Sequence, residues 1–488
     1  MLYSSIFRLF AVVAILVLAA GPAGAATITI VNNDSAGEGF NDPSPADPVG
    51  GNTGTTLGEQ RLILFEAAAD QWGALVESDV EILVSAQFNP MTCDAGGAIL
   101  GSCGSTYILR DFPNAPFANT WYSAATANAL AGSDQDGRTD ITAQFSSTVD
   151  DDPDCLGGHG WYYGLDGQPD QGDLRQHLYP VILHELGHGL GFQNFANEST
   201  GTLNGGLPDI YTRFTLDTTT GKHWNEMTNG ERLASAINTD QIVWDGPFGQ
   251  AAAEDWLAAE VIDFIVNSPG SIAGTYDSTG ALFGAGGALS DDTTGDMELV
   301  DDGSGATASL GCDPLVGFTP GRIAFIDRGT CEFGLKALNA EQAGASAAVI
   351  ANNQDGTVLV NMAGGEVGGQ VTIPVIAIGQ DDGNLIRPEL PGVNVTFDVL
   401  SIWGMHAAGF PKLYAPNPVE MGSSISHWDV SAWPDALMEP FTTEDEYNEV
   451  DMTPGLFEDI GWTLAGRDLI FEDGFESGGS TGWDITIP

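Results

Sequence analysis

One short segment, HELGH at residues 184–188, constrains the fold of this 488-residue chain more than any other feature. Its two histidines, His184 and His188, are four positions apart, so on a helix they lie on one face and both imidazoles can reach one metal ion. The apolar run 181–183 before it is typical of a buried helix. Pro180 is tolerated only in the first turn of a helix, so this helix begins close to it. The segment therefore predicts a helix that presents two metal-binding histidines on one face.

The residue types in this segment indicate hydrolysis by a metal-activated water. Glu185 lies beside the two histidines, where it can accept a proton from zinc-bound water as general base. Zinc lowers the pKa of water from 15.7 to about 7, so hydroxide is available at neutral pH. A five-residue match can also occur by chance in a structural helix. The apolar run before the motif, the glycines after it and an exported context favour catalytic zinc.

A zinc site needs a third protein ligand, and the residues directly after the helix do not supply one. Gly191 follows His188 by three positions and lets the chain leave the helix through a left-handed turn. This arrangement resembles the metzincin metallopeptidases, whose motif is HExxHxxGxxH. The last position of that motif is Asn194 here, a poor zinc ligand that could contact the metal only through a water. The third ligand must come from elsewhere in the chain.

A distant segment, GSSISHWD at 422–429, is followed by LMEP at 437–440. A Ser-His-Trp-acid sequence and a Leu-Met turn at this interval resemble leishmanolysin-type metzincins, in which an insertion separates the helix from the third histidine. The resemblance implies that His427 is the third zinc ligand and that Met438 forms the Met-turn beneath the metal. Alternatively, His427 is a loop histidine and Met438 is ordinary core, since methionine often fills gaps in cores.

Other potential ligands are weaker candidates. In a gluzincin-type site a downstream glutamate such as Glu198 would be the third ligand, but the helix ends at the glycines before it. The remaining histidines are expected to be structural or exposed; they are His159, His177, His223 and His406.

The material between the two metal-binding segments has its own pattern. Buried-strand, helix and strand signals alternate, as in a compact α/β module. Several spaced motifs resemble the protease-associated (PA) domain; they are 311–313, 321–333, 336–340, 343–345, 352–353 and 373–376. The resemblance implies a domain without catalytic residues that binds substrate or gates access. It also implies that Cys312 and Cys331 form a disulfide that braces the strand-to-turn segment.

These signals predict a discontinuous α/β protein, with an α+β metzincin-like catalytic domain interrupted by an α/β PA domain. A strand at 27–31, a helix at 59–77 and an alternating strand at 80–88 open the catalytic domain, and 89–172 read mostly as loops. The predicted parts are a signal peptide (1–26), the first catalytic part (27–267), the PA insertion (268–400), the second catalytic part (401–465) and a tail (466–488).

The net charge and the N-terminal segment indicate where the protein acts and which classes of partner are disfavoured. The chain has 67 Asp and Glu against 14 Lys and Arg, a formal charge of -53. A surface this acidic disfavours nucleic acid and anionic membranes as partners. Residues 1–26 read as a secretory signal, and no later segment reaches the ~20 apolar residues of a membrane span. The protein is expected to be secreted. The tail resembles a terminal motif of exported bacterial proteins, so it either attaches the protein to the cell surface or is simply a frayed terminus.

Cysteines and acidic turns give two further expectations. In an exported chain the cysteines are expected to form disulfides. The pairs that are close in sequence are Cys312 with Cys331 and Cys93 with Cys103, which leaves Cys155 without a partner. Oxygen donors at Asp134, Asp136 and Asp140 alternate around a glycine turn, which could suit Ca²⁺, although such turns are usually only solvated.

Together the sequence predicts a secreted zinc metalloendopeptidase acting on proteins or peptides, with oligomeric state left open. Two alternatives use the same residues differently. One is a non-catalytic secreted adhesion or ligand-binding protein that relies on the PA domain. The other is a zinc hydrolase of non-peptide amides.

Overall fold

In a computed structural model of the chain, the described residues are 24–166, 174–281, 283, 293–442, 448 and 450–465. Almost all of the predicted signal peptide and the whole predicted tail lie outside them. Among the described residues, no helix is both long enough and apolar enough to cross a membrane.

The first part of the chain forms an α/β unit. Its strands and helices are β1 (Ile28–Asn32), α1 (Leu57–Leu75), β2 (Ile82–Asn89), β3 (Cys93–Asp94), β4 (Gly97–Ala98), β5 (Gly101–Ser105), β6 (Ile108–Leu109), β7 (Tyr122–Ser123), α2 (Ala124–Ala131), β8 (Ile141–Ser146), α3 (Thr148–Asp151), β9 (Trp161–Tyr162), β10 (Gln176–His177), α4 (Leu178–Leu190), β11 (Thr215–Asp217), β12 (Lys222–His223), α5 (Asn229–Ser235), β13 (Ile242–Trp244) and α6 (Pro247–Trp256).

The remaining elements belong to the insertion and to the end of the chain. They are β14 (Ala259–Ser268), β15 (Gly274–Tyr276), β16 (Ser278–Gly280), β17 (Thr293–Leu299), β18 (Ile323–Asp327), α7 (Phe333–Gln342), β19 (Ala347–Ala351), β20 (Val375–Ile378), α8 (Gln380–Ile386), β21 (Asn394–Ile402), β22 (Met405–His406), β23 (Phe410–Pro411) and α9 (Thr453–Ile460). Short 3₁₀ turns lie at Gly39–Asn41, Cys155–Gly158, Asn204–Gly206, Tyr211–Arg213, Trp224–Glu226, Gly305–Leu310, Gly365–Gln370 and Arg387–Glu389.

The sheet of the first part has the order β1-β2-β8-β5. β1, β2 and β8 are parallel, with Val84 opposite Ile141, and β5 pairs with β8 in the antiparallel sense at the edge. The predicted strands at 27–31 and 80–88 are confirmed within two residues at each end. The prediction of mostly loops over 89–172 missed three elements that lie there, α2, β5 and β8. The sequence of β5, GSCGS, has no apolar alternation, so its strand conformation comes from pairing with β8.

Helix α1 is the predicted helix at 59–77, shifted two residues towards the N-terminus. It begins there because Thr56 and Glu59 form a capping box, in which each side chain accepts a hydrogen bond from the other's backbone N–H. It ends because Val76 is extended and its carbonyl accepts a hydrogen bond from the N–H of Ala26 (2.9 Å). Its buried face carries Trp72, whose indole donates to the carbonyl of Leu183 (3.0 Å) and so ties α1 to α4.

One hydrophobic core contains residues from both ends of the chain. Buried side chains of α1 and α4 pack with residues from 413 to 464, including Met438 and Trp428. Two separate cores lie in the insertion, one on each face of its parallel strands. Residues of the two outer segments therefore share one core around α4.

The insertion is built on an eight-stranded sheet of order β15-β14-β21-β17-β18-β19-β20-β16. The neighbours from β17 to β20 are parallel, and the predicted strands and helix of this module are present with small shifts at their ends. β14 and β21, where the chain enters and leaves, are antiparallel partners, with Phe264 opposite Phe397. The predicted boundary at 267 is therefore too late, since β14 already belongs to the sheet of the insertion.

The predicted Cys312–Cys331 disulfide is present, and the predicted Cys93–Cys103 pair is wrong. Cys93 pairs with Cys155, with Cα atoms 5.3 Å apart. Cys103 carries the free thiol, because β5 directs it towards α4, where its Sγ lies close to Gly189. A local pairing rule fails here because β3 and β5 diverge, while the turn at 155–158 returns to β3.

With these two disulfides, the protein unfolded without a reductant should have one thiol that reacts with an alkylating reagent. Alkylation and peptide mapping of the unreduced protein should label Cys103 and recover Cys93 joined to Cys155. Replacing Cys155 with Ser should lower the free energy of unfolding by about 4 kcal/mol in the chain-entropy model, since the bridge spans 62 residues. Recovery of a Cys93–Cys103 peptide would contradict the assignment.

Candidate metal centre

Helix α4 places the HELGH segment at the centre of the first unit. The helix begins at Leu178, so Pro180 is its third residue and lies in the first turn, as expected. The carbonyl of Leu190 at its end accepts hydrogen bonds from Thr126 (3.0 Å) and from the indole of Trp462 (2.9 Å). Buried carbonyls at a helix end need such partners.

The chain turns away from the helix at Gly191. Its φ is +133°, a value that L-residues rarely adopt, and a Cβ there would lie 2.6 Å from the Ile460 side chain. Glycine is therefore required at this position for both conformation and space. The turn carries the carbonyl of Phe192 back to the ring of His188, which donates to it from Nδ1 (2.8 Å).

The segment that carries His427 reaches the same place through backbone pairing. The N–H of Tyr414 donates to the carbonyl of His427 (2.9 Å), and the N–H of Trp428 donates to the carbonyl of Met438 (2.9 Å). Tyr211, which is buried in the core, donates its hydroxyl to the carbonyl of Ile425 (2.9 Å). These contacts hold the segment between the first unit and the 437–440 turn.

The three histidines converge. The Nε2 atom of His188 lies 3.0 Å from that of His184 and 3.2 Å from that of His427, and the third side of this triangle is also 3.2 Å. Among the described residues, these three form the one group of three or more metal-ligating side chains close enough to share an ion.

Each ring is oriented by a backbone carbonyl on its far side. Nδ1 of His184 lies 2.7 Å from the carbonyl of Leu437, and Nδ1 of His427 lies 2.7 Å from that of Ser423; His188 has the contact with Phe192 described above. A carbonyl only accepts, so each Nδ1 carries the proton. All three Nε2 atoms therefore present lone pairs to one common point. Metal-binding imidazoles are commonly held in this way, by a hydrogen bond from the other ring nitrogen.

Burial keeps these rings neutral. Desolvation lowers the pKa of His184 to about 4 and that of His188 to about 3. Desolvation, followed by electrostatic repulsion from the rings of His188 and His184, also lowers the pKa of His427 well below its usual value. Protons therefore compete poorly for the three Nε2 atoms at neutral pH.

Glu185 lies beside the triad on α4 and is almost fully buried. Its carboxylate accepts a hydrogen bond from the backbone N–H of Cys103 on β5, and burial raises the pKa of Glu185 to about 8. Gly101, also on β5, leaves room for it, since a Cβ at this position would lie 2.9 Å from Oε1 of Glu185. Sequence reasoning missed the role of β5, because a glycine-rich edge strand carries no pattern that marks it.

Met438 lies beneath the helix and is fully buried. A Cβ on Gly187 would lie 2.6 Å from its Sδ, so the glycine lets the 437–440 turn approach α4 closely. The same turn supplies the Leu437 carbonyl to His184. Met438 therefore packs against the segment that holds two of the three imidazoles.

The other candidate ligands have different partners. Asn194 donates from Nδ2 to Glu198 (2.8 Å) and to the hydroxyl of Ser426 (2.9 Å), next to the third histidine. His223 pairs with Asp245 (2.6 Å), and His406 contacts the hydroxyl of Thr218 (3.4 Å). None of these side chains belongs to the converging group of described residues.

The structure does not bring the three expected calcium ligands together. Asp134 accepts from the backbone N–H groups of Asp136 and Gly137, while Asp136 pairs with Arg138. Asp140 is buried and accepts from the N–H of Leu83 and from Asn128. All three carboxylates are therefore engaged with protein partners, Asp134 and Asp136 on the exposed side of the turn and Asp140 in the interior.

Comparisons with known proteins identify the insertion. Residues 293–386 match the model of the PA domain family, so the chain contains a PA domain. A 79-residue stretch is 39% identical to Signal peptide peptidase-like 2 of Arabidopsis thaliana, covering 16% of this chain and 15% of that protein. The chain thus matches only a small part of that relative.

Solved structures give only partial likenesses. A zinc aminopeptidase from Bacillus subtilis, BSAP, has 23% identity, covers 29% of this chain and 30% of its own, and gives a TM-score of 0.21. A Peptidase M28 precursor from Shewanella amazonensis has 16% identity, covers 34% and 41%, and gives 0.20. A subtilisin-like protease from Pseudoalteromonas has 12% identity, covers 29% and 33%, and gives 0.21. At these TM-scores the likenesses carry no argument about the rest of the chain.

The neutral triad predicts tight binding of one divalent transition metal that survives mild acid. Because the pKa values of His184 and His188 lie near 4 and 3, instead of 6.5, the rings stay unprotonated at pH 5.5. Metal content after dialysis should therefore be the same at pH 7.5 and pH 5.5. Replacing His427 with Ala should reduce it sharply, whereas the matched change at His406 should not. Loss of half the metal near pH 6.5 would contradict this account.

Proposed function

We propose that this chain is a secreted zinc metalloendopeptidase whose discontinuous, metzincin-like catalytic domain is interrupted by its PA domain. The observation that carries the proposal is the convergence of three neutral imidazoles from segments about 240 residues apart, next to a buried glutamate. A purely structural helix has no need for three lone pairs that face one another.

The donor set fits Zn²⁺. Three nitrogens about 3 Å apart suit a cation at roughly 2.0–2.1 Å from each, and three protein ligands leave the fourth tetrahedral position open. His184, His188 and His427 would hold the ion. Bound zinc would acidify a water and polarise the scissile carbonyl.

Glu185 is the residue that would move the proton. Its carboxylate accepts the proton of the attacking water and returns it to the leaving amine. Burial favours the protonated form of Glu185, and a divalent cation held by the neighbouring histidines would oppose this effect. The N–H of Cys103 fixes one carboxylate oxygen, so the carboxylate is oriented before a substrate binds.

The edge strand β5 supports a peptide as substrate. Leu100 and Thr106 make backbone hydrogen bonds on the β8 side of the strand. Because backbone groups alternate along an antiparallel strand, the N–H and C=O groups of Gly101, Cys103 and Ser105 point away from β8, to the side of Glu185. An extended peptide could add to this edge through main-chain hydrogen bonds. Two side chains already occupy N–H groups of this edge: Oε1 of Gln193 accepts from Ser105 (3.3 Å), and the Glu185 carboxylate accepts from Cys103. A peptide would therefore pair with the other backbone groups of the strand. Binding along an edge does not require a free peptide terminus, which favours an endopeptidase.

The 437–440 turn gives Met438 the role of a Met-turn residue in this proposal. It packs under α4 and its neighbour orients His184, which are the two contacts that such a turn would need to make. The two disulfides and the leader-like N-terminus support export.

Replacing Glu185 with Gln should lower kcat for casein by at least about 10²-fold while one equivalent of metal stays bound, because the amide keeps the shape but cannot accept the proton. The matched change at Glu198, which contacts Asn194 and not the triad, should retain activity. Full activity of the Glu185→Gln protein would contradict the proposed mechanism. Loss of metal in the Glu198→Gln protein would instead favour a carboxylate ligand.

Replacing Gly101 with Ala tests the contact between β5 and the glutamate. The new Cβ would lie within about 3 Å of the Glu185 carboxylate, so Glu185 must shift. We expect kcat to fall about tenfold or more with metal content unchanged, while Gly97→Ala, in open space on the neighbouring hairpin, should have no effect. An internally quenched peptide with both ends blocked is the substrate, so the same assay separates endopeptidase from aminopeptidase activity. Equal kcat for the Gly101→Ala protein and wild type would exclude this role for β5.

A further inference from the structure

A cavity of about 380 Å³ lies in the PA domain, away from the histidine triad. It is at the carboxyl ends of the parallel strands β18 and β19, between the turn at 305–310 and helix α8. Proteins with open parallel sheets commonly bind ligands at the carboxyl ends of the strands. A crevice forms there when the chain segments that leave two neighbouring strands pack on opposite faces of the sheet.

The packing explains why the crevice is open here. Helix α7 covers one face of the sheet, with Ala337 and Ala340 in the core beneath it. After β20 the chain passes to the other face, where α8 packs closely enough that a Cβ on Gly383 would lie 2.7 Å from the Cβ of Ala351. The strands end between these two layers, and the side chains that follow β18 and β19 line the gap.

The lining is polar and carries a net positive charge. Asp327 accepts from the hydroxyl of Ser309 (2.6 Å) and pairs with Arg387, so both of its oxygens are used. Arg328 donates one N–H to Oδ1 of Asn352 (2.8 Å), which holds its guanidinium at the cavity. Among the described residues, Arg328 has no carboxylate within ion-pair distance.

This positive charge is unusual for this protein. The chain has a formal charge of -53, and only 14 of its 488 residues are Lys or Arg. Two of these 14 basic residues, Arg328 and Arg387, line the cavity, and Asp327 is its one acidic lining residue. A guanidinium with one N–H engaged still has four donors, and the fork geometry of Arg matches a carboxylate.

We propose that this cavity binds the carboxylate of a peptide, with Arg328 as its direct partner and Arg387 and Asp327 as a neutral pair that shapes the wall. The inference rests on the proposed function, because a peptidase meets peptides with free carboxylates both as substrates and as products. The cavity would then be a second peptide-binding site, separate from β5. The carboxylate can come from the C-terminus or from an acidic side chain.

The test is equilibrium binding of fluorescent peptides to the full-length chain with Glu185→Gln, so that the probe stays intact. The three probes share one neutral sequence: one with a free C-terminal carboxylate, one amidated, and one amidated with an internal glutamate. We expect the free-carboxylate or the glutamate probe to bind more tightly than the amide; which of the two does so identifies the source of the carboxylate. Replacing Arg328 with Gln should weaken that binding about tenfold or more, because it removes the charge-assisted hydrogen bonds to the carboxylate.

Two further variants make the result decisive. Arg322→Gln removes an arginine of the same domain that pairs with Glu298 outside the cavity, so it should change the affinity less than twofold. Asn384→Asp adds a negative charge at an exposed lining position without touching the core, so it should weaken binding as Arg328→Gln does. Equal binding of all three probes, or unchanged affinity in both the Arg328→Gln and Asn384→Asp proteins, would overturn the proposal.

Casein cleavage by the same cavity variants with Glu185 intact separates this proposal from the proposed function. If casein is cleaved but the peptide probes show no preference for a carboxylate, the cavity site is overturned and the proposed peptidase function stands. Carboxylate-dependent binding by a chain that cleaves nothing supports the cavity site and contradicts the peptidase.

Discussion

Three neutral imidazoles whose lone pairs face one another are the arrangement on which the rest of this structure depends. Without a cation such a cluster is unfavourable, because it removes three polar nitrogens from water and aligns their partial negative charges. The protein holds the three rings in this orientation through a hydrogen bond from each Nδ1 to a backbone carbonyl. Those carbonyls belong to Leu437, Phe192 and Ser423, so the 437–440 turn, the Gly191 turn and the 422–427 loop must all be in place before the site exists.

This requirement explains the way the two outer segments share one core. Met438 packs under Gly187, and Trp72, Tyr211 and Trp462 each donate a hydrogen bond to a carbonyl near the site. The PA domain enters and leaves through the paired strands β14 and β21, so its ends are held side by side. An insertion whose ends are adjacent can be large without separating the segments that flank it.

The sequence was most informative where chemistry requires particular residue types at fixed spacing. HELGH predicted α4 and two of the converging rings, and the segment at 422–429 predicted the third. The PA motifs predicted β18, α7, β19 and β20, because a buried parallel strand reads as a continuous apolar run. In the same way, Cys312 and Cys331 were paired correctly across a short connection.

What the sequence did not reveal depends on backbone and on distant contacts. β5 is a strand because β8 pairs with it, and its glycine at 101 matters because of space beside Glu185. Cys93 meets Cys155 because the chain returns to β3 after 62 residues, which no spacing rule indicates. The acidic turn at 134–140 resembles a cation site in composition, but Asp134 is engaged within the turn and Asp140 accepts hydrogen bonds from Leu83 and Asn128.

X-ray absorption at the zinc edge of the purified, full-length protein tests the central claim most directly. The account predicts one zinc per chain, with three imidazole nitrogens and one oxygen at about 2.0–2.1 Å and no sulfur. Replacing His427 should remove one imidazole from this shell. A shell with sulfur, or one that keeps three imidazoles without His427, would contradict it.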